Sequence, residues 1–112
     1  MTLNVDAAKF AFVNVAAAQT DNAFVAAVAG KKIRVHALAA LAGATATTLT
    51  FNTKPSGSGV AISPLFANAI NGGEVLQYSP VGWFETNAGE GLTITTGAGA
   101  TTGVLVVYSE VS

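Results

Sequence analysis

One histidine, His36, and two glutamates five positions apart, Glu85 and Glu90, are the residues of this chain whose types and spacing suit acid–base chemistry. Paired carboxylates hydrolyse glycosides when one protonates the leaving oxygen and the other activates water or attacks the sugar. The local sequence assigns both to structure instead. Glu90 stands in Gly89-Glu90-Gly91, a turn where a carboxylate can accept backbone amides, and Glu85 follows the aromatic pair Trp83-Phe84. His36 alternates with Lys32 and Arg34, which reads as a solvated face or a subunit contact rather than a catalytic base. No nucleophile-elbow pattern is present, and the absence of cysteine removes thiol nucleophiles, thiolate zinc sites and disulfides together. No catalytic residue is expected, and the chain is read as a non-enzyme.

Ligand chemistry is equally sparse. The sequence has no EF-hand loop and no histidine cluster; oxygen ligands around Asp21 and Asn22 are the place where calcium could sit, but no metal is assigned. Gly57-Ser58-Gly59 and Gly97-Ala98-Gly99 do not continue into a dinucleotide fingerprint or a phosphate loop, so they are turn residues and no cofactor is expected. Lys31, Lys32 and Arg34 concentrate positive charge. Three cations are too few to hold nucleic acid, yet they suit charge-assisted contacts to an acidic protein surface. Tyr78, Trp83 and Phe84 could form a platform on which a sugar stacks, or they could plug the end of a sandwich or anchor an interface.

Which elements would position these groups follows from the period of the apolar residues. From Lys32 to Leu41 the odd positions read Ile33, Val35, Ala37, Ala39, Leu41, against Lys32, Arg34 and His36, which is the period of a strand with one buried face. The run Ala37–Ala42 also has helix propensity, but it continues an alternating segment, stops at Gly43 and leads into threonines that disfavour helix. Thr45 to Thr53 places Leu49 and Phe51 opposite Thr48, Thr50 and Asn52. Further short strands are expected over 10–18, 23–29, 60–66, 74–77, 83–86, 92–95 and 103–111, separated by turn signals such as Lys54-Pro55-Ser56-Gly57, Asn71-Gly72-Gly73 and Asn87-Ala88-Gly89. Strands of this length and spacing indicate an all-β sandwich or barrel, and an antiparallel β-sandwich of about eight strands is expected. A single domain over residues 1–112 is expected, with 1–9 as an N-terminal arm.

Composition adds a constraint. Only 10% of residues are charged and 51% are hydrophobic, less than half the charge of an ordinary globular chain, so much of the surface must be uncharged. The net charge of -1 offers nothing to a polyanion; neither signal-peptide pattern nor membrane-spanning apolar run is present. Two strands explain where the apolar excess lies. Val104, Val106 and Tyr108 line one face of the last strand, with Leu105, Val107 and Val111 on the other; Phe10 and Phe12 oppose Val13 and Val15 near the start. Either loops of the same chain or a neighbouring subunit must cover the second face. Subunit contacts are expected from Phe10, Phe12, Val104, Val106 and Tyr108.

The order Ala27-Val28-Ala29-Gly30-Lys31-Lys32-Ile33-Arg34-Val35, a Thr-rich strand, Gly82-Trp83-Phe84-Glu85-Thr86, Gly89-Glu90-Gly91-Leu92 and a closing Val106-Val107-Tyr108 resembles small structural proteins of tailed bacteriophages, the jelly-roll head decoration or cement proteins. The resemblance spans residues 10–112. It implies a jelly roll, no catalytic residues, a homotrimer and the major capsid protein as partner, with Lys31, Lys32 and Arg34 as capsid contacts. It also implies a place on the capsid surface of the virion after synthesis in the host cytoplasm. A head-fibre or tail-associated subunit, or a carbohydrate-binding module, would share much of this pattern. No nucleic acid and no membrane is expected as partner.

Overall fold

The computed structural model describes residues 8–112. Ten strands follow one another: β1 (Lys9–Val15), β2 (Asn22–Val25), β3 (Lys32–Ala42), β4 (Thr47–Lys54), β5 (Val60–Ala61), β6 (Phe66–Asn68), β7 (Gly73–Leu76), β8 (Phe84–Glu85), β9 (Gly91–Thr96) and β10 (Thr102–Val111). One expected strand, 60–66, is two. Pro64 has no amide to give a ladder, and the Ser63 hydroxyl accepts the Phe51 N–H at 2.9 Å where the pairing lapses. The N-terminal arm expected over 1–9 falls almost wholly outside the described residues, and Lys9 already opens β1.

All pairings are antiparallel. Leaving aside the two-residue strands β5 and β8, one sheet has the order β1-β10-β3-β7 and the other β2-β9-β4-β6. Each of the first four strands thus pairs with one of the last four, taken in reverse: β1 with β10, β2 with β9, β3 with β7, β4 with β6. A long hairpin ribbon rolled into two facing sheets has this wiring, which makes the sandwich a jelly roll.

The core lies between the sheets. Val15, Ile33, Val35, Leu38, Val104 and Val106 project from the first sheet onto Leu49, Phe51, Leu92 and Ile94 of the second. Phe51 is fully buried, edge-on to Phe66 and 5.1 Å from the Phe84 ring. The expected alternation of Leu49 and Phe51 against Thr48 and Thr50 holds in β4.

In β3 the alternation changes phase. Val107 of β10 stands opposite Ala37, but the next residue, Tyr108, stands opposite Val35, so His36 is the extra residue of a β-bulge. The period of two therefore carries over only half of the strand. Ile33 and Val35 face the core; beyond the bulge it is Leu38, Ala40 and Ala42 that face it, while Ala37, Ala39 and Leu41 point outward. The single alternating face read from Ile33 to Leu41 is corrected accordingly.

This register makes a direct prediction. Leu38→Ala should cost about 2–4 kcal/mol by leaving a core cavity, and Leu41→Ala under ~1 kcal/mol, because only Leu38 is enclosed. Urea unfolding of the two variants checks it; equal losses would contradict the bulge.

Candidate assembly surface

His36 is held inside the bulge rather than solvated. It is 5% exposed, its Nδ1 lies 2.8 Å from the Ser79 carbonyl and its Nε2 2.7 Å from the Ser109 hydroxyl. A carbonyl only accepts, so Nδ1 carries a proton and donates to it, while the Ser109 hydroxyl, which can donate or accept, partners Nε2. The Tyr78 ring stacks over the imidazole with centroids 5.4 Å apart. The expectation of a solvated His36 beside Lys32 and Arg34 is overturned, since a bulged residue leaves the alternation of its neighbours.

Lys32 and Arg34 are not bare cations. Both reach Glu85 of β8, Lys32 Nζ at 3.2 Å from Oε2 and Arg34 Nη2 at 3.0 Å from Oε1. Burial works against ionisation of Glu85, but the hydrogen bonds and charges of Lys32 and Arg34 outweigh it and hold the carboxyl below its ordinary range. Lys31 instead donates to the Ser112 hydroxyl at 2.8 Å. Glu90 accepts from the Thr53 hydroxyl at 2.7 Å and from the Asn87 side-chain amide, not from backbone amides. The two glutamates therefore serve separate networks. Asp21 ties the loop between β4 and β5 to β9, accepting the Gly59 N–H at 2.9 Å and the Thr93 hydroxyl at 3.2 Å. Among the described residues no three His, Cys, Asp or Glu side chains gather as metal ligands would.

The aromatic trio divides. Trp83 and Tyr78 are about half exposed, and the Trp83 indole donates to the Gln77 carbonyl at 2.7 Å. Phe84 points the other way, onto Phe51, because neighbours on a strand face opposite sides. Phe84 is thus removed from any sugar platform.

The expected subunit contacts divide too. Val104 and Val106 are core residues, 3% and 0% exposed, and Tyr108 lies on the same inward face, packed against the core. The sequence reading assigns the contact surface to the Val104, Val106 and Tyr108 face of β10; in the structure the outward face is the other one, with Gly103, Leu105 and Val107. Phe10 and Phe12 do point outward, 73% and 75% exposed.

Across the outer face of this sheet the registers align in rows. Phe12 stands beside Leu105, Leu105 beside Ala39, and Ala39 beside Val75. Above and below run Phe10, Val107, Ala37 and Asn14, Gly103, Leu41, Gly73. None of these side chains is charged, and Asn14 is the one polar member. An open groove of about 520 Å³, lined by Ala39, Ala40, Leu41, Gly73, Val75, Gly103 and Leu105 with Glu74 at its wall, runs along the face. Gly73 cannot be replaced freely there: a Cβ would stand 1.8 Å from the Ala40 carbonyl oxygen. The outer side of the second sheet differs in kind: Thr48, Thr50 and Thr95 are half-buried there, and Asn52 and Thr93 are buried with side-chain partners in Thr95 and Asp21. Leu41, Ala37 and Ala39 were missed by the sequence reading because the bulge that turns these β3 residues outward has no signature in the alternation.

No protein-family model matches the chain, and comparison with curated protein sequences finds no match. Among solved structures, the virus-like particle of the giant freshwater prawn Macrobrachium rosenbergii extra small virus is similar, with a TM-score of 0.39 and 16% identity. The match covers 94% of this chain and 79% of that one.

Two carboxylates should give opposite pH responses. The lowered pKa of Glu85 means that its ion pairs stabilise the fold above the ordinary value of 4.5, a contribution lost as pH falls through the lowered one. Burial raises the pKa of Glu74, against a hydrogen bond from Asn68, so its ionisation costs stability as pH rises past 4.5. Thermal melts should show Glu85→Gln less stable than wild type at pH 7 and Glu74→Gln more stable, the Glu74 difference closing as pH falls to 4.5 and the Glu85 difference shrinking only as pH falls below it.

Proposed function

We propose that this chain is a non-enzymatic virion structural protein, a capsid decoration or cement protein that binds the outer surface of a head shell and stabilises it. The observation that carries the reading is the run of rows from Phe10 to Leu41 on the outer face of the β1-β10-β3-β7 sheet, apolar and free of charge, where the other sheet carries threonines and an asparagine. An exposed apolar patch of this extent marks a protein-binding surface. The reaction-capable side chains have structural partners: His36 in the bulge, Glu85 with Lys32 and Arg34, Glu90 with Thr53. The jelly-roll wiring agrees with the fold that the phage-like residue pattern implies, although a fold hosts many functions and lends only analogy.

Lys31, Lys32 and Arg34 are the proposed contacts to the major capsid protein. Among the described residues Lys31 has no acidic partner, and Lys32 and Arg34 share the one carboxylate of Glu85, so this corner keeps a net positive charge. Stabilisation would follow mass action: a protein that binds the assembled lattice but not its separated subunits adds about 2.7 kcal/mol per site when its free concentration is a hundred times Kd.

Co-sedimentation with empty expanded heads of the virus whose genome encodes the chain tests this reading. Saturable binding, a raised head-disruption temperature and a loss of affinity of roughly tenfold in Lys31→Glu are expected. No binding at tens of micromolar protein would overturn it.

A further inference from the structure

We infer that the apolar sheet face is occupied by a second copy of this chain, related by a two-fold axis running parallel to the strands between β10 and β3. The inference deepens the assembly reading above by naming the partner of that face. Its basis is the size pattern along the two central strands. Each row holds one larger and one smaller side chain: Val107 beside Ala37, Leu105 beside Ala39, and Leu41 beside Gly103. In the third row the order is reversed, the large residue lying on β3 and the small one on β10.

A strand-parallel two-fold exchanges the two strands while keeping each row at its own height. The β10 of one copy then lies over the β3 of the other. Leu105 meets Ala39, Val107 meets Ala37 and Leu41 meets Gly103, and each contact occurs twice. Large over small is the condition for two sheet faces about 10 Å apart to interdigitate without voids. The same operation carries β1 over β7, so Phe12 comes down on Val75 beside the groove of about 520 Å³.

Area and charge agree with this occupant. Phe10, Phe12, Leu41, Val75 and Leu105 are all substantially exposed. Their exposed parts come to roughly 700 Å², close to the ~800 Å² that each partner of a stable complex buries. A two-fold contact brings every residue near the axis close to its own copy, so charge there would repel itself, and the three contacting rows hold none. Lys32, Arg34 and Glu85 lie beyond the bulge on the same side of the sheet, and Glu74 stands at the groove wall. The axis also keeps the start of β3 of both copies at one end of the dimer. Both Lys31 corners then point the same way, which suits bivalent attachment to a shell.

Sedimentation velocity on the full chain across 1–100 μM, a range about the ~1 μM affinity scale, tests the proposal. A dimer is expected, and Leu105→Lys should be monomeric with an unchanged melting temperature at low concentration. Leu105→Ala removes a knob and Ala39→Leu fills a hole, so each should weaken the dimer about tenfold or more, and the double variant should regain most of the loss. A wild-type monomer at 100 μM, a trimer, or a double variant no better than either single one would overturn the proposed axis. Head co-sedimentation separates the two readings: a monomer that still binds heads refutes the dimer alone, and a dimer that binds no heads refutes the shell assignment alone.

Discussion

The structure turns on one inserted residue. Were β3 regular, Ala37, Ala39 and Leu41 would follow Ile33 and Val35 into the core, and Leu38, Ala40 and Ala42 would face out. The bulge at His36 reverses this, giving the interior a leucine and the exterior a floor of alanines. A bulge leaves an unpaired residue and a local break in the ladder, so it must be held by other contacts. Here an imidazole with a partner on each nitrogen, closed over by Tyr78, provides them. The loop that carries Ser79 and Tyr78 is in turn anchored to β3 by the Trp83 amide and the Val35 carbonyl, 2.8 Å apart.

Much of the architecture was legible in the residues. Period-two patterning and turn chemistry located nearly every strand, and β4 presents the face its threonines announced. What escaped has a common cause. A bulge is a one-residue event decided by contacts to distant segments, here Ser79 and Ser109, and no local alternation encodes it. The last strand, apolar on both sides, offered no way to tell core from surface, which is why Val104 and Val106 were assigned outward. Phe84 was grouped with Trp83 by adjacency in sequence, although adjacency on a strand separates side chains. The pairing of Glu85 with Lys32 and Arg34 joins positions some fifty residues apart and depends wholly on topology.

The low charge content now has a physical distribution. Charges cluster where strands end, in the Lys9 and Glu110 pair across β1 and β10 and in the Lys32, Arg34 and Glu85 group beside the bulge. The outer side of the second sheet is made of hydroxyls and an amide without charge, and on the first sheet the rows between these charged groups are left apolar. The two faces thus divide the work of staying dissolved and of seeking a partner, which a uniformly charged surface would set against each other.

The position of β10 has a consequence for folding. It lies between β1 and β3, so the first sheet cannot zip from its early strands; a gap stays open until the closing segment arrives. Pairings so distant in sequence form late and make such sandwiches slow folders. Because the size pattern of the outer face runs through Gly103, Leu105 and Val107, that face does not exist until the gap is filled. A growing or truncated chain therefore lacks the surface that would recruit neighbours, and the order of synthesis itself keeps assembly behind folding.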